Sequence, residues 1–309
     1  MRREKRAIHN NKPKPEKEFV VTEPIQLMEF LQLKLSKESR NHVKSLLKYR
    51  AVSVNGVVRT KYDTPLHPGQ KVRISRAAAP EETQKNTLHI LYEDDDLIAV
   101  NKPAGLLSIA TDKEKDITAY HLLTDYVKLK NPEDRIFAVH RLDRDTSGVF
   151  IVAKNEAMKF ALQEDWAKLV SVRAYVAIVE GQLKEKSGTM RSWLKKTKTL
   201  LMYSSDRAGD GLEAITKYEV MKESEEYSWV DVHLETGRKN QIRVHMKDLG
   251  HPVVGDKKYG AKANPLKRLG LHAYQLEFKN PLSGEVMSFK APIPQNFKTL
   301  FTQPLQNKE

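Results

Sequence analysis

Residues 137–155 read FAVHRLDRDTSGVFIVAKN, and this stretch joins a dense group of polar side chains to an apolar run. The run GVFIVAK at 148–154 has the β-branched and aromatic content of a buried strand. Similar runs lie on both sides of it, at LHILYEDDDLIAV (88–100), AYVAIVEG (174–181), YSWVDVHLET (227–236) and AYQLEFK (273–279). Helical segments interrupt them without regular strand–helix alternation. The sequence therefore predicts an α+β domain with a mixed, largely antiparallel sheet and flanking helices, not a doubly wound nucleotide-binding fold.

The polar group before this strand has two interpretations. Its members are His140, Arg141, Asp143, Arg144, Asp145, Thr146 and Ser147. A salt-bridged turn that caps the strand would explain them, and so would a reactive site. The catalytic loop of protein kinases is excluded, because no Gly-rich phosphate loop precedes the cluster and no Asp-Phe-Gly follows it.

A second polar cluster, LETGRKNQIRVHM at 234–246, follows another predicted strand. A helix is expected there, with Thr236 as its N-cap and Gly250 as its terminator. The buried face of that helix is predicted to contain Ile242, Met246 and Leu249. Arg243 would then lie in mid-helix beside apolar neighbours. A half-buried arginine needs a carboxylate partner, and Asp143 of the first cluster is a candidate.

Positive charge is concentrated at the N-terminal end. The whole chain has a formal charge of +13, of which residues 1–80 contribute +11. This asymmetry predicts a polyanion-binding attachment, for nucleic acid or an anionic membrane surface, although a solubilising tail is an alternative. Residues 1–18 are rich in charged residues, contain two prolines and are predicted to form a flexible basic arm.

Residues 19–76 are predicted to form a small helix-helix-hairpin module. PIQLMEFLQLKL at 24–35 has helical apolar spacing, and a second helix follows it. Asn55-Gly56 between two Val-rich runs predicts a hairpin. The module resembles the RNA-binding module that ribosomal protein S-four shares with several RNA-modifying enzymes. The resemblance implies phosphate contacts from Arg40, Lys44, Lys48 and Arg50.

The rest of the chain divides into three predicted segments. Residues 77–87 are predicted to be a linker, 88–300 a catalytic domain and 301–309 a tail. The absence of cysteine excludes disulfides, thiolate zinc sites, iron–sulfur clusters and cysteine nucleophiles. The histidines lack the spacing of a metal site, so no metal is predicted. No apolar run approaches the ~18 to 20 residues of a membrane span and the N-terminus lacks a secretory signal, so we predict a cytoplasmic protein without membrane association.

Six motifs occur in a fixed order along the second domain. They are VNKPAGLLS (100–108), HRLDRDTSG (140–148), AYVAIVEG (174–181), LETGRKNQIRVH (234–245), GDKKYG (255–260) and LHAYQLEFKNP (271–281). Together they resemble the RluA-type family of ribosomal and transfer RNA pseudouridine synthases, over almost all of residues 88–300. The resemblance implies an isomerase that acts on ribosomal or transfer RNA, and we predict that it is a monomer.

The resemblance also implies roles for individual residues. Asp143 occupies the place of the essential aspartate, Tyr175 that of the tyrosine that packs on the target base, and Arg243 that of the arginine paired with the aspartate. Arg141 occupies the place of the arginine that fills the space left by the flipped uridine. Two positions depart from the family pattern, since Asn240 replaces a common His and Arg173 replaces a common Lys.

The implied reaction breaks a nitrogen–carbon glycosidic bond, turns the uracil and rejoins it through carbon. Atoms and electrons balance, so no cofactor is predicted. Asp143 could attack the anomeric carbon or remove a sugar proton, and residue identity leaves both routes open. The alternative function is a catalytically silent RNA-binding or ribosome-assembly factor. A membrane-surface protein is disfavoured, because no amphipathic helix with bulky apolar anchors is present.

Overall fold

The computed structural model of the protein describes residues 17–36, 38–48, 51–74, 88–110, 117–199 and 201–301. Two compact units make up the chain: Met1–Thr87 with Asp125–Asp134, and Leu88–Thr124 with Arg135–Glu309. The predicted linker, nearly all of the predicted tail and most of the predicted basic arm lie outside the described residues. The predicted domain boundaries therefore stay predictions.

Among its described residues, the first unit contains two complete helices, the C-terminal half of a third helix from Asp125 onward, and two small antiparallel sheets. Its elements in chain order are β1 (Lys17–Val20), β2 (Ile25–Gln26), α1 (Leu27–Lys34), α2 (Arg40–Lys48), β3 (Val52–Val54), β4 (Val57–Val58), β5 (Pro65–Leu66) and β6 (Lys71–Ile74). One sheet has the order β1-β6-β3-β4, and β2 pairs with β5 in the other. Apolar side chains from both helices and from the strands form one core, which includes Leu27, Leu31, Val43, Leu47 and Val72.

The helix pair and the hairpin of this unit lie where the sequence indicates, with small differences. Asn55 and Gly56 have φ angles of 49° and 80°, as a two-residue turn between twisted strands requires. Helix α1 begins at Leu27, because the two preceding residues pair with β5 instead. The likeness to the ribosomal protein module stays a prediction.

Strand β1 begins earlier than the sequence indicates. Lys17 and Glu18, which were expected in the flexible arm, pair with β6. The carboxylate of Glu18 also forms an ion pair with Arg73, with 2.9 Å between Oε2 and Nη2. Lys17 and Glu18, the last two residues of the predicted arm, therefore belong to the sheet of the first unit.

The second unit is built on one large sheet. Its strands are β7 (His89–Glu93), β8 (Leu97–Lys102), β9 (Phe137–Ala138), β10 (Ser147–Ala153), β11 (Val170–Glu180), β12 (Ser187–Lys196), β13 (Met202–Ser205), β14 (Leu212–Glu223), β15 (Tyr227–Leu234), β16 (Leu271–Lys279) and β17 (Val286–Lys290). Their order is β13-β12-β14-β15-β11-β16-β10-β8-β7, with β17 on β16 and β9 on β10. Among the described strands, only β10 and β16 pair in parallel, so the predicted largely antiparallel sheet is confirmed.

Five described α-helices lie along this part of the chain, and the C-terminal half of the first of them, from Asp125 onward, belongs to the first unit. They are α3 (Ala119–Lys130), α4 (Glu156–Glu164), α5 (Trp166–Leu169), α6 (Gln241–Asp248) and α7 (Gln295–Thr299). Helix α4 packs on β10 through Met158 and Leu162, while α6 packs on β11 and β15 through Ile242 and Met246. No helix within the described ranges is long and apolar enough to cross a membrane.

Helix α6 begins differently from the expectation. Thr236 does not cap it: the Thr236 hydroxyl donates to Oε1 of Gln241, 2.8 Å away, and accepts from the Ile215 amide. The residue before the helix is Asn240, whose left-handed φ of 56° turns the chain into the first turn. The helix ends as predicted, with Gly250 in the left-handed region at φ 84°.

Candidate active site

A pocket of about 240 Å³ opens in the second unit, between the HRLDRDTSG turn, β11 and the start of α6. Its lining combines apolar side chains with charged and aromatic ones, and the latter are Arg141, Asp143, Tyr175, Arg238, Lys239 and Arg243. The structure therefore brings together four residues that the sequence singled out from three separate motifs.

The turn that carries Asp143 is fixed on one side by Ser108. The Ser108 hydroxyl donates to the carbonyl of Leu142 at 2.8 Å and accepts from the Leu142 amide at 3.0 Å. Ser108 and Leu142 are both buried. One hydroxyl thus satisfies both backbone groups of the residue before Asp143, which fixes the direction in which the chain enters the turn.

Lys102 fixes the other side of the same turn. Its side chain is fully buried, and its ammonium donates to three carbonyls, at 2.7 to 3.0 Å, from Leu106, Pro103 and Arg144. The Gly105 amide donates to the same Arg144 carbonyl. Burial lowers the pKa of Lys102 to about 7. The VNKPAGLLS segment therefore holds the backbone on both sides of Asp143.

Gly148 ends this turn where two strands meet without room for a side chain. Its φ is 118°, and an added Cβ would lie 2.0 Å from the backbone oxygen of Ala273 on β16. The neighbouring Ser147 hydroxyl lies 2.7 Å from Nδ1 of His272. The glycine of the motif is thus explained by the parallel contact between β10 and β16.

Tyr175 lies near the middle of β11, where the pairing with β16 shifts register between Ala174 and Tyr175. Its half-buried ring contributes to the apolar cluster under α6 and also lines the pocket. Burial raises the pKa of Tyr175 to about 12, so the hydroxyl stays protonated at neutral pH. The ring is therefore a neutral surface beside the Asp143 carboxylate.

Arg243 projects from α6 toward two carboxylates. Its Nε and Nη2 donate to Asp256 at 2.6 and 2.8 Å, whereas its Nη1 lies 3.8 Å from Oδ2 of Asp143. The predicted proximity to Asp143 is present, but the strong bidentate partner is Asp256. Burial opposes the charge of Arg243, yet the hydrogen bonds and charge of Asp256, together with Asp143, raise its pKa overall.

Two further residues complete the surroundings of the guanidinium. Asn240 accepts from Nη1 of Arg243 at 3.2 Å and donates to the Tyr259 hydroxyl at 3.0 Å. The Tyr259 ring lies 4.9 Å from the centre of the guanidinium. Asn240, which departs from the family pattern, thus bridges the arginine and the tyrosine from a left-handed backbone position that Asn tolerates well.

Asp143 is the more accessible of the two carboxylates, with its side chain 26% exposed. Its pKa lies above the ordinary value of 3.8 because burial is the largest influence, and the positive charges of Arg243, Arg141 and Lys239 act in the opposite direction. Burial and these positive charges therefore act on the ionisation of Asp143 in opposite directions.

The other predicted residues have more varied surroundings. Arg141 is exposed at the pocket. Arg173, the second departure from the family pattern, donates to the carbonyl of Glu235. In the first unit, Arg40 and Lys44 are exposed on α2. Lys48 is the last residue of α2, and Arg50 lies outside the described residues.

The histidines of the motifs serve as neutral hydrogen-bonding groups. His140 accepts from the Ile151 amide at 2.9 Å, and His245 lies between the hydroxyls of Ser192 and Thr216. Burial lowers the pKa of His140 to about 3 and that of His245 to about 4. Within the described ranges, no group of His, Asp and Glu could hold a metal ion.

Comparison with known proteins places the chain in a family. Residues 96–248 match the family described as RNA pseudouridylate synthase. A Chlorobaculum parvum protein named as an uncharacterized RNA pseudouridine synthase is 33% identical over 306 residues, which cover 90% of this chain and 93% of the relative. The chain belongs to the RNA pseudouridine synthase family. The ribosomal large subunit pseudouridine synthase D of Vibrio cholerae is 34% identical over 277 residues, 84% of each chain.

Membership of this family makes the chain an isomerase whose substrate is RNA. The fold agrees, since the solved structure of human RNA pseudouridylate synthase domain containing 1 superposes with a TM-score of 0.54 at 27% identity. That match covers 68% of this chain and 84% of the human one. The predicted resemblance to pseudouridine synthases is confirmed, while the roles of individual residues remain predictions.

Three functional candidates were not recognised in the sequence: Lys102, Ser108 and Asp256. Lys102 and Ser108 lie in the motif VNKPAGLLS, and Asp256 lies in GDKKYG. Asp256 carried one usable signal, because it is a lone acidic residue directly after the apolar run VVG. An acid in such a place is seldom buried without a partner.

Proposed function

We propose that the chain converts uridine to pseudouridine in ribosomal RNA of the large subunit, with Asp143 as the catalytic carboxylate. The observation that carries this proposal is the position of Asp143, whose carboxylate lies in the pocket beside Nη1 of Arg243. The choice of RNA is supported by the name of the Vibrio cholerae relative. Transfer RNA is the alternative substrate within the same chemistry.

The reaction needs a base that has left its stack. Extruding a nucleotide costs a few kcal/mol, which contacts in the pocket must offset. The neutral ring of Tyr175 supplies a flat surface for the uracil, and Arg141, exposed at the pocket, supplies a side chain that could enter the vacated helix. These two residues therefore bind and expose the target, and Asp143 acts on it.

Isomerisation then breaks the N1–C1′ bond and forms the C5–C1′ bond. The proton on C5 is released and N1 gains one, so no oxidant, reductant or group donor enters the balance. Asp143 either attacks C1′ as a nucleophile or removes a sugar proton as a base, and both routes need its carboxylate form. Arg243 stabilises that form from 3.8 Å.

The charge around the pocket suits an RNA substrate. Arg238 and Lys239 are exposed beside Arg141 on the lining of the pocket, where they can meet phosphates on either side of the target nucleotide. We propose a monomer as the active form. The cytoplasm, where ribosomal RNA is modified, is the proposed location.

The test is pseudouridine mapping in cells that lack the gene. Large-subunit, small-subunit and transfer RNA are sequenced, and the gene is restored as wild type, as Asp143→Asn, or as Asp210→Asn. Asp210 pairs with Lys195 away from the pocket and provides the matched carboxylate-to-amide control. We expect one or more large-subunit sites to disappear and to return with the wild type and the control only. Sites lost from transfer RNA instead would overturn the substrate, and an unchanged map would favour a silent RNA-binding factor.

A further inference from the structure

Asp256 and Arg243 form the most completely buried ion pair near the pocket among the described residues. The Asp256 side chain is 1% exposed and that of Arg243 11%. Two parallel hydrogen bonds join them, from Nε and Nη2 to the two carboxylate oxygens. A fork of this kind fixes both the position and the plane of a guanidinium.

The backbone around Asp256 is itself fixed. Its amide donates to the carbonyl of Val253, and its own carbonyl accepts from the amides of Tyr259 and Ala261. The carboxylate therefore extends from a turn that is closed on both sides. Because the carboxylate is held rigidly, it can fix the orientation of the arginine that binds it.

The fork determines which nitrogen faces the pocket. Because Nε and Nη2 are engaged by Asp256, it is Nη1 that points to Asp143, and Asn240 accepts from the same nitrogen. At 3.8 Å the interaction with Asp143 is electrostatic and is longer than a hydrogen bond. The Asp143 carboxylate thus receives a nearby positive charge without a bidentate partner covering both of its oxygens.

We propose that Asp256 is a positioning residue for the isomerisation: it holds Arg243 so that the guanidinium stabilises the Asp143 carboxylate without closing a bidentate pair on it. This inference rests on the proposed function of Asp143. Without Asp256, the arginine is free to turn its fork toward Asp143 and to occupy the oxygens that must react. Either that pairing or a displaced guanidinium removes the alignment that the chemical step requires.

The central experiment measures kcat and KM for RNA in Asp256→Asn, Arg243→Met and the double variant, with Asp143→Asn and Asp210→Asn as references. We expect Asp256→Asn to lower kcat by about 100-fold, as a displacement of about 1 Å can do, with little change in KM. In the Arg243→Met background, the same substitution should change kcat by no more than about twofold, since its effect passes through the arginine.

A wild-type kcat for Asp256→Asn would overturn the proposal, and so would an equal loss in both backgrounds. The proposed function of Asp143 and the proposed role of Asp256 can be refuted separately. Activity in Asp143→Asn would remove the proposed function itself. Inactivity of Asp143→Asn together with full activity of Asp256→Asn would remove only the role of Asp256.

A second measurement does not depend on the folding of Asp256→Asn. The Nε–H group of Arg243 gives a ¹⁵N NMR signal, which is assigned by its absence from Arg243→Met. We expect this signal to stay protected from solvent exchange in Asp143→Asn, because Asp256 accepts from Nε. Loss of protection in Asp143→Asn would show that Asp143 holds the arginine and would overturn the proposal.

Discussion

Two carboxylates face the same guanidinium from different regions of the chain, and their surroundings differ sharply. Asp256 lies in the GDKKYG turn, is almost fully buried and receives two hydrogen bonds from Arg243. Asp143 lies in the HRLDRDTSG turn, keeps 26% of its side chain exposed and is 3.8 Å from the remaining nitrogen. A single arginine thus serves two acids, one as a structural partner and one as an electrostatic neighbour.

The arginine and the pocket carboxylate have different requirements, and a single ion pair between them could not meet both. A buried arginine needs a close counter-charge, because an unpaired buried charge costs several kcal/mol. A reactive carboxylate needs at least one oxygen that no other group occupies. With Asp256 as the counter-charge, Asp143 can remain close to Arg243 and still be available to a substrate.

The largest expected effect comes from removing the charge of Asp143, the more accessible of the two acids. Asp143→Asn should lower kcat by at least about 1,000-fold, as expected when a group that acts directly in the chemistry is lost. Affinity for RNA should stay near that of the wild type, since little volume changes. Tritium release from RNA labelled at C5 of uridine measures turnover, and a filter-binding titration measures affinity. Appreciable turnover by the purified variant would remove Asp143 from its role.

A smaller but still severe loss should follow from removing the shared cation. Arg243→Met leaves both acids without their positive neighbour, and kcat should fall by roughly 100-fold or more. Arg243→Lys should also remain poor, because a lysine cannot reproduce the fork to Asp256 while pointing to Asp143. Single-turnover rates at saturating enzyme, with circular dichroism as the folding check, measure the effect. Recovery of most activity by the lysine variant would show that orientation matters less than charge.

The raised pKa of Asp143 predicts a pH dependence. The carboxylate form is lost as pH falls through the folded pKa, which lies above the ordinary value of 3.8, so kcat should decline toward acid earlier than for an exposed aspartate. Arg243→Met removes the largest opposing charge and should move the acid limb to still higher pH. Rates measured across a buffer series, with RNA folding monitored in parallel, test this. A limb that moves toward lower pH would contradict the electrostatic account.

The smallest effect on kcat is expected from substitutions on α2, which is far in sequence from both acids. Replacing Arg40 and Lys44 on α2 by alanine should weaken RNA binding and leave kcat unchanged. If each contacts a phosphate, the slope of log affinity against log salt should fall by about 1.4 to 1.8 in total. Lys168→Ala, which removes an exposed lysine of the second unit paired with Asp165, is the control. An unaltered slope would support the solubilising alternative for the N-terminal segment.

The sequence could predict the pairing of Arg243 with Asp143, but not the pairing of Arg243 with Asp256. HRLDRDTSG and LETGRKNQIRVH are specific enough to predict Asp143 and Arg243 as site residues, and the α+β sheet follows from the strand-like runs. The sequence also indicated that a mid-helix arginine needs an acid. It did not indicate that two acids meet it, because Asp256 is brought near by the course of the chain after α6 and not by any helical or strand spacing.

Local hydrogen bonding explains the other differences. Thr236 has the residue type of an N-cap, but its hydroxyl donates to Gln241 and accepts from the Ile215 amide. The helix therefore begins after Asn240. Lys102 has the residue type of a surface cation, yet three carbonyls surround its ammonium. These hydrogen bonds involve groups from distant parts of the chain. Residue type and periodicity therefore cannot predict them.

The parallel contact between β10 and β16 has a consequence for the order in which the protein folds. Ser147 and His272 are 125 residues apart in sequence, and Gly148 meets Ala273 beside them. Contacts of such long range form late, because a long loop must close before they stabilise anything. During synthesis, the turn with Asp143 leaves the ribosome well before the strand that supports it. The nascent chain is therefore expected to lack a completed pocket until nearly all of the second unit has been translated.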